Sequence, residues 1–150
     1  MTQSVNTVAK AMKDYYSCDE QKIRHFVSVY TLAKTIGELE KLPSETQEYL
    51  EIAALVCDID ENEQVEQTKA RELLKLQEID YEVVERVCYI VEHFFDYDHI
   101  TGLDHQILLE AHMIVDFKEK GLSRAVIIEQ SNSRFMTNYG KDIIKKAFGV

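Results

Sequence analysis

His25, Cys57, Asp58 and His112 carry the side chains that bind zinc and related divalent ions: imidazole, thiolate and carboxylate. They are far apart in sequence, so only a fold can assemble them. Asp58 sits in "EIAALVCDID", directly after the six apolar residues of Ile-Ala-Ala-Leu-Val-Cys. That run reads as the buried end of a helix, whose C-terminus carries partial negative charge and disfavours a carboxylate. Burial and the helix dipole both oppose ionisation of Asp58, so without a partner its pKa should rise; a divalent cation would hold it ionised. His112 and Asp116 are four residues apart in "ILLEAHMIVD" and meet on one helix face. A carboxylate on one imidazole nitrogen fixes the tautomer and frees the other nitrogen for a metal. His93, in "IVEHFFDYD", lies near the end of a further helix; His99 and His105 fall in or beside a polar loop and read as solvated. Taken singly, these residues have plainer readings. His25 alone reads as a core histidine with a satisfied hydrogen bond, Cys57 as a small buried apolar side chain, and His112 with Asp116 as a surface pair.

One proline and five glycines in 150 residues leave few turns, which points to helices rather than sheet. Apolar spacing and stop signals predict helices over 5–16, 20–40, 44–57, 64–76, 81–95, 104–120, 123–130 and 140–148. Asp19 or Ser17 is placed to cap the second, and Ser44 with Gln47 forms a capping-box pattern for the third. Asp80 is placed to cap the fifth, and Gly121 to stop the sixth. On the second helix His25 leads the stripe Val29, Leu32, Ile36 and Leu39, so its ring is expected to face the core. On the fourth, Val65, Ala70, Leu73 and Leu74 are expected inward. The expected architecture is an all-α, compact, single-domain bundle of about six to eight helices spanning residues 1–150.

A formal charge of -10 argues against a nucleic-acid partner, which needs a basic face; Lys141, Lys145 and Lys146 read as a solvated helix face. No apolar run approaches the roughly 18 residues of a membrane span, and the N-terminus has no apolar core of a signal peptide. Three cysteines with no close pair give no disulfide framework. Together these features predict a cytoplasmic protein. No glycine-rich phosphate loop, strand-turn-helix nucleophile motif or pair of CxxC units is present.

"KIRHFVSVYTLAKTIGELEKL", "EIAALVCDID" and "ILLEAHMIVD" resemble, in order, three motif blocks of the HD-domain superfamily of metal-dependent phosphohydrolases. "ERVCYIVEHFFDYDHITGLDHQILLEAH" is similar to the middle of a small bacterial subgroup of single-domain members. The resemblance implies an all-helical HD-type fold, a divalent metal ion and a small phosphorylated substrate such as a nucleotide. His25 and Asp58 match the family's first histidine and central aspartate, with Asp58 as the catalytic candidate. The motif is degenerate: Cys57 replaces the second histidine, His112 the last aspartate, and Asp60 a glycine. In "EHFF", where the subgroup usually reads Gly-His-His-His, only His93 is retained beside Phe94 and Phe95. The acidic loop after Asp58 is also short for the family. The implied metal shell is His25, Cys57, Asp58 and His112, with His93 and Asp116 behind it or in the pocket. Its thiolate and imidazoles favour zinc, with iron and manganese as alternatives. A closed four-ligand shell is structural rather than catalytic. The alternative to a divergent phosphohydrolase is therefore a non-catalytic relative that keeps the fold as a ligand-binding or interaction module. A homo-oligomer is compatible with either. In both cases the side-chain ends of His25, Asp58 and His112 are expected to converge.

Overall fold

The computed structural model describes residues 2–59, 63–94 and 96–150. Eight α-helices make up the described chain: α1 (Gln3–Tyr15), α2 (Glu20–Leu39), α3 (Ser44–Val56), α4 (Glu63–Leu76), α5 (Tyr81–Glu92), α6 (Gly102–Lys120), α7 (Arg124–Arg134) and α8 (Asn138–Phe148). A 3-10 turn, Tyr97–His99, joins α5 to α6. No helix among the described residues is long and apolar enough to cross a membrane. Lys141, Lys145 and Lys146 are exposed, as expected of a solvated face.

α3 and α6 form the interior. Leu50 to Cys57 are all buried, and on α6 so are Ile107 to Val115 and Phe117. A helix covered on every side needs no polar face, which is why the apolar run of α3 is continuous rather than striped. α3 packs against α1, α2, α5 and α6, and α2 also packs along α6. This puts the C-terminal end of α3 between α2 and α6.

The caps explain most helix ends. Asp19 accepts from the Lys22 amide at 3.1 Å and starts α2. Ser123 and Thr137 cap α7 and α8, which accordingly begin at Arg124 and Asn138. Two expected caps are not made. The Pro43 carbonyl already accepts from the Gln47 amide at 2.8 Å, so Ser44 lies inside α3 rather than capping it. The Gln47 side chain bonds the Lys34 carbonyl at 3.2 Å and Glu51 at 2.8 Å instead. Asp80 holds the N-cap position of α5 without a side-chain bond to the helix. The inward stripe of α2 is Phe26, Val29, Ala33, Ile36 and Gly37, while Leu39 is exposed. His25 thus falls at the edge of the stripe and is only half-buried, not a core residue. Ala70, Leu73 and Leu74 are buried as expected; the side chain of Val65 lies outside the described residues, as do Asp60, Phe95 and the length of the acidic loop.

α6 stops at Gly121, whose φ of 58° is left-handed and whose amide bonds the Phe117 carbonyl. No atom lies within 4 Å of a Cβ built there. Gly121→Ala therefore adds backbone strain without a clash, and should cost about 1 kcal/mol. The shift of the urea unfolding midpoint measures it.

Candidate metal centre

Three helices deliver one cluster. α2 presents His25, the turn after α3 presents Asp58, and α6 presents His112. His25 Nε2 lies 2.7 Å and His112 Nε2 2.8 Å from the same oxygen, Asp58 Oδ2. The expected convergence of these three residues is therefore observed. The remaining imidazole nitrogens also face carboxylates. His112 Nδ1 is 3.3 Å from Asp116 Oδ2, and His25 Nδ1 is 3.0 Å from both oxygens of Glu119. The rings meet edge to face, 5.5 Å between centroids.

With no ion bound, four imidazole nitrogens that all point at carboxylate oxygens favour the doubly protonated form of both rings. The hydrogen bond to Asp58 outweighs burial and, with Glu119, raises His25 to about 9. For His112 burial pulls the other way, but Asp116 and Asp58 together raise it to about 10. Burial alone would raise Asp58; the two imidazoles reverse this and hold it well below the usual carboxylate range. Asp116 is likewise lowered by His112 against its burial. Without a metal ion, the acid at the end of α3 is thus faced by two imidazoles whose charged forms it stabilises.

The local chain explains the positions. Val56 ends α3, and the Ile59 amide closes a turn on its carbonyl at 3.2 Å. The Tyr16 hydroxyl donates to the carbonyls of Asp58, at 3.0 Å, and Ile59, fixing the backbone beneath the carboxylate. Cys57 continues the helical conformation, so its thiol turns back along α3 and donates to the Ala54 carbonyl at 3.6 Å. Its sulfur is 3.7 Å from Asp58 Oδ2 but stands outside the group whose ligand atoms converge. Of the four expected ligands, His25, Asp58 and His112 bring their ligand atoms within 4.8 Å of one another.

His93 belongs to a different group, with Asp96 and His99. Its neighbour Phe94 packs against His112 instead, 4.8 Å between ring centroids. His105, expected in solvent, is fully buried, and its Nδ1 accepts from the Thr101 amide at 3.4 Å. Asp116 stands behind His112 as expected. Tyr16 and Glu119 were not anticipated, although Glu119 lies seven residues after His112, two turns on along the same face.

The donor set fits a divalent ion. Two Nε2 atoms and a carboxylate oxygen lie within 4.8 Å of one another. Each ring is held from behind by a carboxylate, the usual support of a metal-binding imidazole. Asp58 is 28% exposed and His112 6%, so the cluster opens to solvent on the Asp58 side.

No protein-family model and no curated protein matches the sequence. Among solved structures, a predicted HD superfamily hydrolase from an uncultured Thermotogales bacterium is similar, at 21% identity and a TM-score of 0.64. The match covers 98% of this chain and 84% of that one. The described chain, whose regular structure is all helical, has the all-α fold of that HD-superfamily structure.

Proposed function

We propose that this chain is a metal-dependent hydrolase of phosphate esters, with one divalent ion held by His25, Asp58 and His112 and a small phosphorylated compound, such as a nucleotide, as substrate. The observation that carries this reading is the meeting of two Nε2 atoms on one Asp58 oxygen, with a carboxylate behind each ring. When bound, such an ion polarises a phosphoryl oxygen and acidifies a water. Three protein ligands leave coordination positions open, as hydrolysis requires; the Cys57 thiol, which donates to the Ala54 carbonyl and stands 3.7 Å from Asp58 Oδ2, is outside the convergent group. Asp116 and Glu119 orient the rings and raise their basicity. Without the thiolate, the preference for zinc rests on the imidazoles alone, and iron and manganese suit the same set. The neighbour of known structure described as a predicted hydrolase supports the same class.

The test is metal analysis of protein purified without chelator. A hydrolysis screen over nucleotides and p-nitrophenyl phosphate with manganese, iron or zinc follows, with Asp58→Ala as control. Metal-dependent turnover that needs Asp58 is the expected result. Binding of an ion with no turnover on any phosphate ester would leave the non-catalytic, ligand-binding reading in its place.

A further inference from the structure

The segment after α5 repeats a three-residue step. The Asp96 amide bonds the His93 carbonyl at 3.1 Å, and the His99 amide bonds the Asp96 carbonyl at 2.9 Å. Three residues per turn bring side chains at successive third positions over one another. His93, Asp96 and His99 are those positions. Asp96 Oδ2 lies 2.6 Å from His99 Nδ1 and 3.7 Å from His93 Nδ1. The two rings stack, with centroids 5.1 Å apart and planes at 26°. All three ligand atoms fall within 4.8 Å of one another.

Neighbouring contacts hold this arrangement in place. The Tyr89 ring packs on His93 at 4.4 Å, and its hydroxyl donates to the His99 carbonyl at 3.3 Å. On the other side the Arg134 guanidinium lies 3.7 Å over the Tyr97 ring. His93 is also the C-cap of α5, where the partial negative charge of the helix end favours a cation.

We propose that His93, Asp96 and His99 form a second divalent-cation site, separate from the cluster around Asp58. Two imidazoles and one carboxylate suit zinc, copper(II) or nickel rather than magnesium or calcium. His99 is exposed and Asp96 partly so, and an ion therefore reaches the site directly from solvent and keeps water in its remaining positions. The site clasps the end of α5 to the 3-10 turn. Phe94, inside that clasp, is the residue seated against His112. An ion here stiffens one wall of the first cluster without touching its ligands.

Zinc titration by calorimetry into Asp58→Ala, which lacks the shared ligand of the first cluster, reads the second site as the binding lost when His99→Ala is added. One equivalent should bind, and adding His99→Ala should weaken it by more than about tenfold. Copper(II) added to Asp58→Ala should show nitrogen couplings from two imidazoles, reduced to one by His99→Ala. Should Asp58→Ala not fold, His99→Ala in the otherwise wild-type chain should bind one zinc fewer than wild type, with an unchanged melting temperature before metal is added. Zinc binding that is absent from Asp58→Ala, or equal with and without His99, overturns the second site. Neither outcome touches the first, which is judged by the dependence of binding and turnover on Asp58.

Discussion

Between pH 6.5 and 8.5 the zinc affinity of the Asp58 cluster should rise about 10,000-fold, with two protons leaving for each ion bound. Each imidazole must offer a neutral Nε2 to a metal. In the metal-free protein both Nε2 atoms instead carry protons donated to Asp58. Their pKa values, about 9 for His25 and about 10 for His112, lie above this whole range. Both protons must therefore be displaced throughout it, so affinity gains about tenfold per proton per pH unit. The slope should fall to one above pH 9 and vanish above pH 10. Unperturbed histidines would lose most of this dependence above pH 6.5. Competition against a chelator of known affinity measures the slope, and calorimetry in buffers of different ionisation heat counts the protons. His99→Ala protein confines the signal to the first cluster. A flat affinity from pH 7 to 8.5 would mean that the imidazoles are not protonated on Asp58.

The same four nitrogens show which parts of the site were legible in the sequence. His112 and Asp116 were readable as a pair because helical spacing alone joins them. His25 and Asp58 are 33 residues apart, and no local rule brings them together; only the order of the motif blocks did. Glu119 was at helical spacing too, but an exposed glutamate looks like any solvated one until a ring is found beside it. Cys57 shows that adjacency in sequence does not fix direction: at a helix end, neighbouring side chains point about 100° apart. Its thiol donates to the Ala54 carbonyl and stands 3.7 Å from Asp58 Oδ2, while the carboxylate meets the rings. One residue of phase also separates His93 from Phe94, and it sends them to different clusters. His105 read as solvated because the sixth helix was expected to start at Asp104. Arg86 ties Thr101 and Asp104 to α5, so the helix begins at Gly102 and draws His105 inside. The helices themselves were legible throughout, since apolar spacing and stop signals are local.

In chelator-treated protein, Asp58→Asn should cost about 3 kcal/mol at pH 6 and about 1 kcal/mol at pH 10. Burial and the helix dipole alone argue otherwise, that an amide there is neutral or mildly stabilising. The structure supplies what that argument lacked, two imidazolium partners on one oxygen. The pH dependence follows from the directions of the shifts. His25 and His112 titrate at about 9 and about 10 when folded, above the 6.5 of a free histidine. Their contribution is complete below pH 6.5 and is lost as pH rises through 9 and 10. Asp58 and Asp116 are lowered from 3.8, so their contribution is present above that value and is lost as pH falls below it. The cluster therefore stabilises most between about pH 4 and 6.5. Both rings meet one oxygen, so an amide oxygen at position 58 can still accept from both, but it carries no charge to hold either ring protonated. It also leaves two rings 5.5 Å apart without the charge that made both protons favourable. At pH 6 the loss is that of one partner from a part-buried charged group, the lower end of the usual range. At pH 10 His25 is largely neutral in the wild type and His112 about half so, and little more than an ordinary hydrogen bond is missing. Thermal melts should show a deficit of about 6–12 °C at pH 6 that shrinks several-fold at pH 10. A variant as stable as wild type at pH 6, or equally impaired at both pH values, would mean that Asp58 does not hold two charged rings.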